Sequence, residues 1–215
     1  MKKAGHAKGY LLVFVLLFVC ISCDQKTKKF KPKKPNILLL MSDNQSADHL
    51  GCYGDKSIKT PHIDKLAKKG LIFKNAYCSA PSCSPARASM LTGQDIWSLG
   101  EAANLWSSFP KVKVYTQLME ASGYHVGIEG KGWGPGDETV TGWEHNPGGV
   151  RYDSFEEFFN EAEKGQPWMY WYSSRDPHRP YKKEGWKNSG IHLDSIYVPP
   201  YLPDNTDVRK DIADY

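Results

Sequence analysis

Cysteine is scarce in this chain, and several features that would assign it to a familiar class are missing altogether. The longest apolar run, residues 11–19, is nine residues long, about half of the roughly 20 that a helix needs to cross a bilayer. No segment repeats. The glycine-rich stretch Glu129-Gly-Lys-Gly-Trp-Gly-Pro-Gly136 lacks the spacing and the closing Ser or Thr of a phosphate-binding loop, which argues against a nucleotide site. An excess of one charge is also missing from most of the sequence. The formal charge is +4 over 215 residues, with 28 basic against 24 acidic side chains, yet residues 25–35 alone hold six lysines, so the rest carries 22 basic against 24 acidic groups. No nucleic-acid partner is expected, because the basic character is not spread over a folded face.

Of the five cysteines, Cys20 and Cys23 fall within residues 1–23, which read as an export signal: Lys2, Lys3 and Lys8 precede the short apolar run. Their C-x-x-C spacing has no redox or zinc meaning there. The run closes on Cys20-Ile-Ser-Cys23-Asp24, with a small residue directly before a cysteine as in bacterial lipoprotein signals, although Cys20 stands where such signals prefer Leu. The pattern predicts a lipid on Cys23 that tethers the chain to a membrane. The product would be exported, to the periplasm or to the outer membrane or cell surface of a bacterium. A soluble secreted product and an uncleaved anchor would share that side of the membrane. Residues 24–35 read as a solvated basic linker. Cys52, Cys78 and Cys83 remain, enough for one disulfide and one odd thiol, with the pairing open.

The chain as a whole is 40% hydrophobic and 13% aromatic, and the part from residue 36 to residue 215 can bury one core. Residues 36–42 form a nearly continuous apolar run, which predicts a strand covered on both faces, as in a parallel sheet. Thr60-Pro61 and, further on, Gly70 bracket a helix; residues 71–77 alternate like a strand; Ser84-Pro85 predicts a second helix closed by Gly93. A third helix is expected over 113–121, a strand over 124–128, a helix from Ser154 to about Glu163 opened by a capping box with Glu157, and a buried strand over 167–172. The chain is Pro- and Asp-rich beyond Tyr181, with a helix start near Asp207. Strands alternating with helices imply a layered α/β/α domain with a mostly parallel sheet.

Polar residues cluster at the ends of these elements. Asp43 and Asn44 follow the first strand, where open α/β folds place their sites, and both offer hard oxygen ligands for Ca²⁺ or Mg²⁺. Cys83 stands at a helix start, where free N–H groups favour negative charge, and Arg87 returns on the same face one turn later. Lys131 sits on the glycine-rich loop, where the backbone could approach a ligand closely, and His178 lies in Arg-Asp-Pro-His-Arg-Pro after the last strand. Each also has a plain reading: a packed thiol, a turn, a loop histidine.

Cys83-Ser-Pro-Ala-Arg87, followed by Ala-Ser-Met-Leu-Thr-Gly93, resembles the signature of the type I sulfatases, C-x-P-x-R ahead of a short apolar run and T-G. The likeness runs from about Pro35 to Tyr215 and takes in Asp43-Asn44, Leu50-Gly-Cys-Tyr-Gly54, Thr60-Pro-His-Ile-Asp-Lys-Leu-Ala67, Gly130-Lys131 and Asp176-Pro-His-Arg-Pro180. Ser42-Asp-Asn-Gln-Ser46 and the glycine-rich loop are most similar to the heparan N-sulfatase branch. The resemblance implies an alkaline-phosphatase-like α/β/α sandwich, and a maturation enzyme that converts Cys83 to formylglycine. It also implies Ca²⁺ held by Asp43, Asn44 and the modified Cys83, and hydrolysis of sulfated glycans. Cys83 would be the nucleophile, Arg87 would hold its hydrate, and Lys131 and His178 would bind sulfate oxygens. The chain departs from the family pattern at Asn44, where a second Asp is common, and at Lys131-Gly132-Trp133, where Gly-Lys-x-His is usual. His125 is the nearby histidine. The family's downstream metal pair and second lysine would lie beyond Tyr215, so residues 36–215 are expected to be the N-terminal part of a catalytic domain. A phosphate or phosphonate ester hydrolase of related fold, and a non-catalytic glycan-binding lipoprotein, are the alternatives.

Overall fold

The computed structural model describes residues 34–215, of which Pro35–Tyr215 form one compact unit. The expected signal, the lipidated Cys23 and nearly all of the linker lie outside the described residues. Four parallel strands make the main sheet: β1 (Ile37–Met41), β3 (His125–Gly130), β5 (Val150–Arg151) and β6 (Trp168–Ser173), in the order β1-β6-β3-β5. A parallel pair of two-residue strands, β2 (Ser107–Ser108) and β4 (Gly136–Asp137), stands apart. Among the described residues the α-helices are α1 (Pro61–Ala67), α2 (Cys83–Thr92), α3 (Tyr115–Ala121), α4 (Phe155–Glu161) and α5 (Thr206–Asp214). None of the described helices is long and apolar enough to cross a membrane.

Side chains alternate across a strand, and the two sheet faces build separate cores. On one face Val126, Ile128, Met169 and Trp171 meet Ala88 and Leu91 of α2 together with Phe109, Val114 and Trp133. On the other, Tyr170 packs with Tyr152 and Phe158 of α4. Full burial of side chains such as Ile128 and Phe158 is worth about 1.5–3 kcal/mol each. A Cβ on Gly127 would come 2.5 Å from the Phe158 ring, so glycine there lets α4 lie against the strand.

Several elements differ from the sequence expectation. The first strand forms, but it is not covered on both faces: Leu38 and Leu40 are 53% and 60% exposed. Among the described residues it pairs only with β6, and α4 reaches over the β3–β6 half of that face. Residues 71–77 form no strand, because alternation alone provides no partner to pair with, and Leu71, Phe73 and Tyr77 are exposed. The cap of helix α2 lies two residues before the predicted one: Ser82 is its N-cap and Cys83 its first helical residue. Pro85 still falls within the first turn, where a missing N–H removes no helical hydrogen bond. Ser84, released from capping, donates its hydroxyl to the Pro135 carbonyl. Helix α4 ends at Glu161, and its box is split: Ser154 accepts from the Glu157 amide, whereas the Glu157 carboxylate accepts from Asp153 N–H.

Candidate active site

In a parallel sheet all carboxyl ends share one edge, and the register makes neighbours of three of them: Met41 opposes Ser173, and Ser173 opposes Gly130. The residues that follow are therefore delivered together. Pairing persists beyond the strands, with Ser174 N–H on the Met41 carbonyl at 2.8 Å and Asp43 N–H on the Asp176 carbonyl at 3.2 Å. Gly130 takes a left-handed φ of 81°, and a Cβ there would overlap the Ser173 carbonyl. That turn aims Lys131 at the end of β1.

Asp43 is the hub. It is 4% exposed, with Oδ2 2.5 Å from Lys131 Nζ and Oδ1 3.5 Å from Arg87 Nη2. Cys83 Sγ lies 3.5 Å from Asp43 Oδ1 and 3.8 Å from Asn44 Oδ1. Burial works to raise the Asp43 carboxyl, but the hydrogen bond and charge of Lys131, joined by Arg87, outweigh it and hold the group below the usual carboxylate range. Arg87, equally buried, donates to the Gly132 carbonyl at 2.6 Å and to Ser173 Oγ at 2.9 Å, and its guanidinium sits 5.6 Å from the Trp171 ring centre. Burial lowers its affinity for a proton, and the Asp43 charge partly restores it. His178 joins the group: one of its ring nitrogens, a carboxylate oxygen of Asp43 and Cys83 Sγ all lie within 4.8 Å of one another. Beside them opens a cleft of about 820 Å³, lined by Asp43, Asn44, Tyr77, Cys78, Cys83 and Arg87 among others.

All six residues singled out from sequence, Asp43, Asn44, Cys83, Arg87, Lys131 and His178, thus come to one place. His125 does not: it stacks on Phe158 at 4.5 Å and bonds the Phe158 carbonyl, on the face of the sheet that α4 covers. Gly132 and Gly136, after Lys131, serve packing rather than approach to a ligand. A Cβ on Gly132 would lie 2.6 Å from Ile128 Cδ1, and one on Gly136 2.5 Å from the Ser107 carbonyl.

Other residues of the site carried no signal in sequence. Asn146 braces the glycine-rich loop, accepting from Trp133 N–H at 2.9 Å and donating to the Trp133 carbonyl at 2.9 Å. Trp133 in turn donates its indole N–H to the Ser84 carbonyl at 3.1 Å, which pins the start of α2. Tyr215 holds the loop after β1: its hydroxyl accepts from Ser46 N–H at 2.6 Å and donates to the carbonyl of Asn44, at 2.8 Å. Asn44 is one of the non-glycine residues with positive φ, 64°, in the left-handed region where Asn is favoured. The Tyr215 ring also lies edge-on to Tyr181, 5.8 Å away, so it touches the segment that carries His178.

Residues 35–193, most of the chain, match the family model described as Sulfatase. The chain belongs to the sulfatase family. Human N-sulphoglucosamine sulphohydrolase is 40% identical over 101 residues, 45% of this chain and 20% of that protein. Human arylsulfatase D is 34% identical over 145 residues, 61% of this chain and 24% of the relative. An ulvan-active sulfatase of Formosa agariphila is 26% identical over 94% of this chain and 43% of its own length. The chain therefore spans between a fifth and somewhat under half of these relatives. Among solved structures, one in complex with its substrate D-glucosamine-2-N,6-O-disulfate aligns at TM-score 0.59 and 23% identity, over 79% of this chain and 40% of that one. The phosphonate monoester hydrolase of Agrobacterium radiobacter aligns at 0.52 and 17%, over 68% and 42%. Both likenesses show the fold alone, and they confirm an alkaline-phosphatase-like α/β architecture.

A Ca²⁺ ion at this site would meet a partial shell. Ca²⁺ takes about six to eight oxygens. Asp43 Oδ1 and Asn44 Oδ1 converge on the Cys83 position, at 3.5 and 3.8 Å from its sulfur, so the two donors fit that role.

Proposed function

We propose that the chain carries the nucleophile half of a sulfuric ester or N-sulfo hydrolase, and that Cys83 is converted to formylglycine by a maturation enzyme. One observation carries the reading: Cys83, the first residue of α2, points its side chain at Asp43 and Asn44 with Arg87 behind it. In the reaction, one hydroxyl oxygen of the hydrated aldehyde bonds to sulfur as the bond from sulfur to the leaving alcohol or amine breaks. The leaving group takes up a proton. Loss of a proton from the second hydroxyl re-forms the aldehyde and expels sulfate, and water restores the hydrate. A serine has no second hydroxyl for that collapse.

The residues divide the work by charge. Arg87, fixed by two hydrogen bonds, holds the hydrate and neutralises the charge that develops there, as oriented donors do in a dry site. Lys131 and His178 face the sulfate oxygens. Asp43 and Asn44 would hold Ca²⁺, or Mg²⁺, which supplies Lewis acidity and a template. The substrate class is a sulfated glycan, with N-sulfoglucosamine favoured by the relative that is 40% identical. The remaining partners of this reading are the maturation enzyme and, through a lipid on Cys23, a bacterial membrane facing the exterior.

Peptide mass spectrometry after co-expression with a formylglycine-generating enzyme is the test. Conversion at Cys83 and none at Cys52 or Cys78 is expected; an unmodified Cys83 peptide would overturn the proposal. Assays of the converted protein with aryl sulfate, N-sulfoglucosamine and aryl phosphate separate it from a phosphate or phosphonate ester hydrolase. A preference for the phosphate ester refutes the sulfate reading.

A further inference from the structure

Before any modification, the site presents a donor set unlike that of an oxygen-bound calcium. Cys83 Sγ, an Asp43 carboxylate oxygen and a His178 ring nitrogen lie mutually within 4.8 Å. His178 Nδ1 is 2.5 Å from the Arg179 carbonyl. That contact ties one ring nitrogen of His178 to a carbonyl. This is the arrangement that orients metal-binding imidazoles, whose other ring N–H is tied to a carbonyl or carboxylate. Lys131 occupies Asp43 Oδ2, and Oδ1, the oxygen beside the sulfur, is shared with Arg87 Nη2 at the longer distance of 3.5 Å.

One thiolate, one imidazole and one carboxylate suit zinc-class cations, whereas calcium takes oxygens only. We propose that the chain with Cys83 unmodified binds a zinc-class divalent cation through Cys83 Sγ, a His178 ring nitrogen and an Asp43 carboxylate oxygen. Loss of the sulfur on conversion of Cys83 would then abolish that site. On binding, the S–H bond breaks, its electron pair forms the bond from sulfur to metal, and the proton passes to solvent; nothing is oxidised or reduced. With three protein ligands the fourth position is left to water, and the adjoining cleft has room for it. Lys131 and Arg87 oppose a further cation, so affinity will fall below that of closed four-ligand structural sites. Conversion to an aldehyde hydrate exchanges sulfur for oxygen and turns the preference towards hard cations. One carboxylate would thus serve two different metals, one before and one after maturation. The proposal does not depend on sulfate hydrolysis.

The test uses the 215-residue chain made without a maturation enzyme and stripped with a chelator. It is titrated with zinc chloride against a chromogenic competitor, then with cobalt chloride for its absorption spectrum. One equivalent of zinc and a thiolate-to-cobalt charge-transfer band are expected, both lost in Cys83→Ser. His178→Ala should weaken zinc binding at least about tenfold, the scale on which even outer-shell changes act. A variant with Cys20, Cys23, Cys52 and Cys78 all changed to Ser should bind like the parent. Zinc binding that survives Cys83→Ser, that vanishes in the four-serine variant, or that never reaches one equivalent overturns the proposal.

Discussion

Replacing Arg87 with Met keeps most of the volume of the side chain and removes its charge and its fork of donors. Two buried acceptors then lose their partner, the Gly132 carbonyl at 2.6 Å and Ser173 Oγ at 2.9 Å. Each orphaned group costs about 1–3 kcal/mol. Asp43 also loses a cation 3.5 Å away but keeps Lys131, so its carboxylate is not left bare. Removing one member of a buried ion pair costs about 3–5 kcal/mol. Retention of Lys131 places the expected loss at the lower end, about 3 kcal/mol. In a folded unit of this size that lowers Tm by roughly 6–12 °C. Arg87→Lys restores the charge but reaches only one acceptor, and should cost about 1–2 kcal/mol. Urea unfolding of the parent, the two single variants, Asp43→Asn and the Asp43→Asn/Arg87→Met double variant measures the network. Coupling of about 0.5–3 kcal/mol is expected. An Arg87→Met protein within about 1 kcal/mol of the parent, or strict additivity in the cycle, would refute the claim that Arg87 organises the strand ends.

Two further outcomes concern Asp43 and its loop. Because the folded carboxyl sits below the ordinary aspartate value of 3.8, its contribution to stability is complete above that value and is lost as pH falls through the lower folded value. Unfolding midpoints from about pH 6 down to about pH 2 should therefore decline more steeply in the parent than in Asp43→Asn; parallel curves would contradict the pairing. Tyr215→Phe keeps the ring and deletes the bridge between Ser46 N–H and the Asn44 carbonyl. It should cost about 1 kcal/mol and speed hydrogen exchange at Ser46, while exchange in β3 and β6 stays unchanged.

Much of the scaffold was legible because its strands are marked by apolar runs between breakers. Residues 36–42 and 167–172 were read within a residue or two of β1 and β6. What escaped was whatever depends on a partner remote in sequence. The two-residue strands at Ser107–Ser108 and Gly136–Asp137 exist only through each other, and residues 71–77 alternate without anything to pair with. The exposure of Leu38 and Leu40 is likewise a property of the surroundings, not of the run itself. At the site, the spacing from Cys83 to Arg87 is local and could be read directly. Asp43, Lys131 and His178 could be grouped because strand ends in parallel sheets converge. The carbonyl of Gly132, Ser173 Oγ, the Asn146 brace and Tyr215 act through backbone groups or over long separations, and no residue pattern announces them.

Tyr215 follows α5, a helix with no buried residue. Most of its attachments are polar: Arg179 to Asp211, Asp214 to the amides of Glu184 and Trp186, and Arg209 to the carbonyls of Leu193 and Ile196, with Ile212 and Ala213 beside Ile58 and Ile191. Elements held this way open locally at a small fraction of the global unfolding free energy. Each such opening would unlatch Tyr215 from residues 44–46 and from Tyr181 at once, while the sheet stays folded. The lifetime of an ordered cleft would then be set by a shallow helix rather than by the core. Anything that settles on α5 would lengthen that lifetime without touching Cys83.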